Sequence, residues 1–150
     1  MLKYYNYDIV FQEIPDEVTL AVNITDCPHR CKGCHSPHLH QNIGEALDHK
    51  TLDTLLAKYG RQITCVCFMG GDRNPKEVSE LAHYIRQHSK LKVAWYSGND
   101  TLPQNAAQFD YLKVGGYRPE LGGLRSRTTN QRLYCNANGL TTDITSRFWR

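Results

Sequence analysis

Buried strands and amphipathic helices alternate along most of the chain. Between the strands, apolar residues recur at helical spacing in two segments, one running from Asp48 to Gly60 and one opened by Asn74, Pro75 and Glu77. Strands separated by helices of about ten to fifteen residues imply right-handed crossovers and a parallel sheet. Four short, mainly apolar runs predict the strands, at residues 18–24, 63–69, 92–96 and 111–114, and the first of them is rich in β-branched residues.

The C-terminal region has a different pattern, which predicts a β-hairpin. Residues 131–135 and 140–145 flank the segment Asn136-Ala137-Asn138-Gly139, and an Asn-Gly pair is typical of a tight hairpin turn. A chain of 150 residues is long enough for one domain. It is shorter than the roughly 200 residues of a complete eight-unit barrel. We therefore predict one α/β domain over residues 1–150, a partial (β/α) barrel with a C-terminal β-hairpin.

The composition is that of an ordinary globular domain, with 40% hydrophobic and 22% charged residues. No window approaches the uncharged apolar stretch of about 18 residues that a membrane span needs. The N-terminus lacks the apolar core of a secretory signal. We therefore expect a cytoplasmic protein with no membrane association, in which the six cysteines serve as metal ligands, catalytic groups or core residues rather than disulfides.

The net charge of +3 is distributed unevenly along the chain. Residues 1–112 carry 11 Lys and Arg against 13 Asp and Glu, whereas residues 113–150 carry 7 against 2. The surplus of +5 in the C-terminal part suits a phosphate-bearing ligand, nucleic acid or an acidic protein surface, and also suits a solvated basic surface. Because the chain has no Lys/Arg tract and no recognisable reading module, we expect no nucleic-acid partner.

The segment CPHRCKGCHSPHLH, residues 27–40, carries the most informative chemistry. Cys27, Cys31 and Cys34 follow the first predicted strand directly with the spacing Cys-x3-Cys-x2-Cys, so their thiolates emerge at the carboxyl edge of the sheet. Open α/β sheets place their ligand sites at that edge. Three thiolates suit a [4Fe-4S] cluster with one open iron. Spacing alone also allows buried cysteines, or a zinc ion completed by one of the histidines His29, His35, His38 and His40.

This cysteine motif resembles the signature of the radical S-adenosylmethionine (radical SAM) enzymes. In that superfamily the open iron of the [4Fe-4S] cluster binds S-adenosylmethionine. Gly70-Gly71-Asp72, after the second predicted strand, is similar to the Gly-Gly-Glu turn that meets the methionine amino group of this cofactor with backbone carbonyls. Glycine permits that close approach, so a side chain at Gly71 is expected to weaken cofactor binding. Asp72 is one methylene shorter than the usual glutamate.

Within the superfamily the chain resembles the activating enzymes of the anaerobic (class III) ribonucleoside-triphosphate reductases. Gly33, before the third cysteine, is also usual for this subfamily. The resemblance implies a partial barrel of the radical SAM type and an oxidoreductase that generates a glycyl radical on the reductase. It begins near Val18, reaches the C-terminus and passes through TLAVNITDCPHRCKGCHSPHL, CFMGGD, WYSG, DYLKVGGY and TTNQRLY.

The resemblance also implies a role for individual residues. Cys27, Cys31 and Cys34 would hold the cluster, and no catalytic residue is expected beyond the cluster and the cofactor. On S-adenosylmethionine, the adenine side would meet Gly33, Cys34 and His35, and the methionine side would meet Gly70, Gly71 and Asp72. Ser97, at the end of the third predicted strand, is a candidate for the ribose or carboxylate, or an ordinary turn residue. Lys113, at the end of the fourth, is a candidate for a cofactor or substrate contact.

Two other functions fit the same motifs. One is a different radical SAM enzyme, either an activase of the pyruvate formate-lyase type or a small-molecule enzyme. The other is a non-enzymatic zinc-binding module. The favoured function implies two partners, the glycyl-radical subunit of the reductase and a flavodoxin- or ferredoxin-type electron donor. The remaining cysteines form no second cluster motif: Cys65 and Cys67 share one strand face and are expected to pack in the core, and Cys135 has no partner at ligand spacing.

Overall fold

A computed structural model describes residues 2–27 and 41–149 as one mixed sheet with helices. The helices are α1 (His49–Tyr59) and α2 (Pro75–His88), with short 3-10 helices at Ala106–Gln108 and Thr145–Trp149. The strands are β1 (Lys3–Val10), β2 (Thr19–Ile24), β3 (Glu45–Ala46), β4 (Cys65–Met69), β5 (Lys92–Tyr96), β6 (Tyr111–Val114), β7 (Arg132–Ala137) and β8 (Leu140–Asp143).

The strands form a single eight-stranded sheet in the order β3-β1-β2-β4-β5-β6-β7-β8. The four strands predicted from the apolar runs, β2, β4, β5 and β6, lie side by side and are parallel. The predicted α/β class and parallel centre are therefore confirmed. Strands β1 and β3 were not predicted. The sheet is mixed because β1 pairs antiparallel with β2 and β3, and β7 pairs antiparallel with β6. Barrel closure is not shown, because the pairing among the described residues is linear, with β3 and β8 at the two edges.

The helices begin where the sequence predicts, but only α1 is capped in the expected way. The Asp48 side chain accepts a hydrogen bond from the Thr51 backbone N–H at 2.9 Å. At the start of α2, Asn74 makes no side-chain capping bond, and the Glu77 carboxylate accepts from the backbone N–H of Leu2 at 2.7 Å. Asn74 therefore occupies the N-cap position of α2 as predicted, but the reciprocal capping bonds between Asn74 and Glu77 are absent. Pro75 and the burial of the predicted apolar face (Val78, Leu81, Ala82 and Ile85) start this helix instead.

The two faces of the sheet are covered differently. On one face, α1 and α2 pack over a core that includes the fully buried Phe68 and Trp95. The other face is smaller and includes Ile14 from the β1–β2 connection and Ile144 from the C-terminal region. None of the helices in the described part of the chain has the length and apolar character that a membrane crossing requires.

The remaining cysteines lie on the second face. Cys65 and Cys67 are completely buried, which confirms their predicted core role, and burial raises the thiol pKa of both well above its usual value. Cys135 lies on β7, and β5 and β6 separate it from Cys67. These three cysteines therefore do not come together as a metal site.

The C-terminal hairpin confirms its sequence signal. Strands β7 and β8 pair antiparallel, and Asn138 and Gly139 connect them with φ of 54° and 76°. Positive φ at both turn positions is what a two-residue hairpin loop requires. The hairpin extends the parallel block through the pairing of β6 with β7.

Candidate functional site

Cys27 lies at the carboxyl end of β2, where the sequence places the first thiolate. Its side chain is half-buried. The described residues on either side of positions 28–40 are joined by hydrogen bonds at this point. The Asp26 N–H donates to the Gln41 carbonyl at 2.9 Å. The Thr25 hydroxyl donates to the Ile43 carbonyl at 2.6 Å. The predicted site residues Cys31, Gly33, Cys34 and His35 and the alternative zinc ligands His29, His38 and His40 lie outside the described residues.

The Gly70-Gly71 turn follows β4, the next strand in the sheet. Both glycines have positive φ, 108° and 97°. The Gly70 carbonyl accepts from the Trp95 indole N–H at 2.7 Å. A β-carbon at Gly71 would lie 2.6 Å from Cγ2 of buried Val78. Glycine is therefore required here by the backbone conformation and by core packing, a reason that is independent of any ligand.

Asp72 connects this turn to the end of β5. One carboxylate oxygen accepts from the Ser97 hydroxyl at 2.5 Å and the other accepts from the Gly98 backbone N–H at 2.7 Å. Ser97 is completely buried, and its hydroxyl oxygen also accepts from the Asn99 N–H at 3.1 Å. The Asp72 carboxylate thus fixes the Ser97-Gly98 turn.

Lys113 connects the same turn to the end of β6. Its side chain is buried, and the Nζ donates to the carbonyl oxygens of Ser97 at 3.1 Å and Gly115 at 2.9 Å. The Nζ also lies 5.4 Å from the centroid of the Tyr96 ring. A buried cation on these carbonyls draws the ends of β5 and β6 together and contributes positive charge to the site.

Asn130 and Arg73 also lie at this edge, although neither was predicted as a site residue. The Asn130 Nδ2 donates to the Gly116 carbonyl at 3.0 Å, whereas its Oδ1 is buried without a hydrogen-bond partner among the described residues. The Arg73 Nε lies 3.2 Å from the Asp26 carbonyl oxygen and 3.1 Å from its carboxylate. Asn130 belongs to the quoted stretch TTNQRLY, but no pattern in the sequence pointed to Arg73.

Together these contacts form a polar rim along the carboxyl ends of β2, β4, β5 and β6. Soft thiolate ligands are the donors that iron–sulfur clusters use, so a Cys27 side chain at this edge fits such a cluster. The orphaned Asn130 Oδ1 suits a ligand that carries a hydrogen-bond donor. The described residues contain no group of three His, Cys, Asp or Glu side chains placed to hold a metal, and two of the three motif cysteines fall outside them.

A second polar cluster occupies the opposite, amino edge of the same strands. The Glu17 carboxylate, 7% exposed, accepts from Lys92 Nζ at 2.9 Å and from the Tyr111 hydroxyl at 2.7 Å. Burial alone would raise the pKa of Glu17, but these hydrogen bonds bring the pKa below its ordinary value. No local sequence pattern marks this cluster, because its members are far apart in the chain.

The basic C-terminal residues engage neighbouring groups of the protein. Arg125 donates to the Gln12 side chain, and the Arg127 guanidinium lies 5.7 Å from the Trp149 ring centroid. Three other arginines form ion pairs with guanidinium-to-carboxylate distances of 3.7–3.9 Å: Arg118 with Asp100, Arg132 with Asp143 and Arg147 with Asp16. Such exposed pairs are weak, and they leave the region's surplus of positive charge in place.

A family model for a 4Fe-4S single cluster domain matches residues 17–113, well over half of the chain. This range includes the cysteine motif and the Gly70-Gly71-Asp72 turn, and it extends from just before β2 into β6. No curated protein and no solved structure matches the chain. The matched domain type is typical of radical SAM activases. The chain therefore belongs to the family of 4Fe-4S single cluster domains, a radical SAM-type enzyme domain that holds an iron–sulfur cluster.

Proposed function

We propose that this protein is a radical SAM activating enzyme that generates a glycyl radical on an anaerobic ribonucleoside-triphosphate reductase. The observation that carries the proposal is the position of Cys27. The first thiolate of a Cys-x3-Cys-x2-Cys motif lies at the carboxyl end of β2, beside the polar rim. Membership in a 4Fe-4S single cluster family supports a cluster at that place. The parallel strands would then be the wall of a partial barrel.

The cluster would be held by Cys27, Cys31 and Cys34, with S-adenosylmethionine on its open iron. When bound, this pair supplies one-electron cleavage of the cofactor's sulfonium and, from it, removal of a hydrogen atom from the glycine α-carbon. The protein's own residues bind and orient the cofactor. By resemblance, Gly33, Cys34 and His35 would lie along the adenine, and Gly70, Gly71 and Asp72 along the methionine.

The contacts of Gly70 and Asp72 favour a supporting role for these residues on the methionine side of the cofactor. The Gly70 carbonyl already has an indole donor and the Asp72 carboxylate has two protein donors, so these residues hold a rigid turn. A carbonyl oxygen has a second lone pair, which leaves room for an ammonium group. Lys113 contributes a buried positive charge, suited to the cofactor carboxylate. The Asn130 Oδ1 adds an acceptor at the same edge. Preorganised groups of this kind bind without reorganisation during the reaction.

The proposed partners are the glycyl-radical subunit and a flavodoxin- or ferredoxin-type electron donor. Positive charge in residues 113–150 supports docking to an acidic protein surface, since complementary charge raises association rates. Arg125 and Arg127 are exposed, although each has a contact within the protein. The expected docking effect is strongest at low salt.

The decisive experiment is an anaerobic reconstitution followed by electron paramagnetic resonance. The reduced protein is mixed with S-adenosylmethionine and the anaerobic reductase, and a glycyl radical signal is expected. Pyruvate formate-lyase replaces the reductase in a parallel sample to test the other type of activase. A radical on pyruvate formate-lyase alone would assign the chain to that type, and a colourless protein that binds zinc would overturn the enzymatic proposal.

Cysteine variants test the ligand set. Cys27→Ala, Cys31→Ala and Cys34→Ala are each expected to abolish cleavage of S-adenosylmethionine, because each removes one iron ligand. Cys135→Ala is the matched control and is expected to keep full activity, since β7 places it away from the rim. Full activity in any of the first three variants would contradict the ligand assignment.

A further inference from the structure

Arg73 makes a contact beside the first motif cysteine that the proposed function leaves unexplained. It directly follows Asp72 in the loop after β4, and its Nε donates to the Asp26 carbonyl at 3.2 Å. That carbonyl belongs to the peptide group that joins Asp26 to Cys27. The same Nε lies 3.1 Å from the Asp26 carboxylate. The Arg73 guanidinium therefore holds the backbone that carries Cys27. Arg73 itself lies only two residues after Gly71 in the chain.

This contact is poorly explained as a contribution to fold stability. The Arg73 and Asp26 side chains are 49% and 34% exposed, and exposed ion pairs typically contribute about 0–1 kcal/mol. Asp26, however, has a φ of 58°, in the left-handed region that non-glycine residues rarely adopt. A residue keeps such a conformation when its surroundings fix it. Here the Gln41 carbonyl holds its N–H and Arg73 holds its carbonyl.

Asp72 and Arg73 act on opposite sides of β4. Asp72 reaches the Ser97-Gly98 turn after β5, and Arg73 reaches Asp26 after β2. Since β4 lies between β2 and β5, these two consecutive residues connect three neighbouring strand ends. The loop after β4 thus fixes the backbone before Cys27 relative to the rest of the rim.

We propose that Arg73 is a positioning residue for Cys27, which fixes the direction of the first cluster ligand and holds a positive charge beside the cluster. The inference rests on the proposed role of Cys27 as a ligand. Groups that orient metal ligands typically change metal affinity about 10–100-fold when they are removed. A nearby cation also stabilises the more negative, reduced cluster, and reduction is the step in which such an enzyme accepts its electron.

The test compares three variants of the reconstituted protein. Arg73→Gln removes the charge and the guanidinium donor, whereas Arg73→Lys keeps the charge but lacks the fixed Nε geometry. Arg86→Gln is the matched control, because Arg86 also donates from an exposed position to backbone carbonyls, those of Ala107 and Gln108, away from the rim. Each variant is measured for cluster loss to an iron chelator, for the cluster's midpoint potential and for thermal unfolding without cluster.

Arg73→Gln is expected to lose its cluster about tenfold faster than wild type, with a more negative midpoint potential. Arg73→Lys is expected to lose its cluster faster as well but to keep a potential close to wild type. Arg86→Gln should match wild type in both measurements. Unchanged loss rates and potentials in both Arg73 variants would overturn the inference. So would a fall in the cluster-free melting temperature of Arg73→Gln beyond that of Arg86→Gln, because Arg73 would then support the fold.

The two proposals fail differently. If wild type binds no iron–sulfur cluster, the proposed function is wrong and this inference falls with it. If wild type binds the cluster and cleaves S-adenosylmethionine while the Arg73 variants are indistinguishable from it, only the positioning role is overturned.

Discussion

The two edges of the parallel block carry polar networks of different kinds. At the amino edge, the buried Glu17 carboxylate is satisfied by the Lys92 and Tyr111 side chains, which converge on one point. At the carboxyl edge, Asp72 and Lys113 bind mainly backbone and turn groups, and the network runs along several strand ends. The first arrangement neutralises a charge, whereas the second fixes the shape of loops.

From this difference we expect the two edges to contribute differently to stability and to ligand binding. A closed side-chain cluster leaves little capacity for a ligand, and its members change the pKa values of one another. On the rim, the buried Asn130 Oδ1 is an acceptor without a partner among the described residues. Parallel strands end in loops at the carboxyl edge, where ligand sites of open α/β sheets occur. We therefore expect changes at the amino edge to affect folding, and changes of the rim side chains to affect mainly ligand binding; Gly71 is the exception, because a side chain there would enter the core.

The largest expected loss of stability is at Gly71, a rim residue at which an added side chain would enter the core. Gly71→Ala should destabilise the fold by about 3 kcal/mol, because its β-carbon would meet Val78 at 2.6 Å on a backbone with φ of 97°. The side chain of Val78 is β-branched and has little freedom to move. Chemical denaturation of the cluster-free protein measures the loss.

Gly139→Ala is the matched control for that variant. Gly139 also has positive φ, but its β-carbon would have no atom within 4 Å, so a loss of only about 1 kcal/mol is expected. Equal losses in the two variants would mean that core packing at Gly71 is unimportant. Normal stability with weak S-adenosylmethionine binding would instead favour the close approach of a ligand that the sequence suggests.

The next largest effect belongs to the amino edge and depends on pH. Glu17→Gln should cost about 2 kcal/mol at neutral pH, a value reduced from that of a buried pair because Lys92 is half-exposed. Since the folded pKa of Glu17 lies below its ordinary value, the carboxylate stabilises the fold above its unfolded pKa of about 4.3. That contribution is lost as pH falls through the folded pKa.

Denaturation of wild type and Glu17→Gln at several pH values between neutral and about 3 measures this dependence. The difference in unfolding free energy should shrink at the acid end. A constant difference would mean that Glu17 acts by packing alone. S-adenosylmethionine binding should be unchanged in Glu17→Gln. Weaker binding would show that the amino edge also affects the ligand, contrary to the comparison of the two edges.

The smallest expected effect on stability tests the rim itself. Ser97→Ala removes the hydrogen bond to Asp72 and the one accepted from the Asn99 N–H, and should cost about 1.5 kcal/mol of unfolding free energy. It should weaken S-adenosylmethionine binding several-fold with normal iron content, because the turn after β5 loses its fixed position. Calorimetric titration of the cofactor measures this. Ser89→Ala is the control and should bind the cofactor normally, because the Ser89 hydroxyl likewise donates one hydrogen bond and accepts one from the backbone N–H two residues on, away from the rim.

Much of the architecture could be predicted because its signals are local. Alternating or continuous apolar runs identified β2, β4, β5 and β6, and the Asn138-Gly139 pair identified the hairpin. β1 was missed because its residues Lys3–Val10 are partly exposed and polar, and it is a strand by virtue of pairing with β2 and β3. Asn74, Pro75 and Glu77 predicted the start of α2 correctly, but residue types do not show side-chain geometry, and the Asn74 side chain makes no capping bond.

The sequence by itself predicts the donor set, and the first member of that set, Cys27, lies at the end of β2 as expected. The spacing of Cys27, Cys31 and Cys34 after an apolar strand is a local property of the chain, and it predicts soft ligands at the carboxyl edge. The tertiary structure alone decided which residues support that edge. Arg73 meets Asp26 across 47 residues and Asp72 meets Ser97 across 25, because crossover helices return successive strands to one edge. Contacts between the loops that follow successive strands leave no periodic pattern in the sequence, so only the folded chain reveals them.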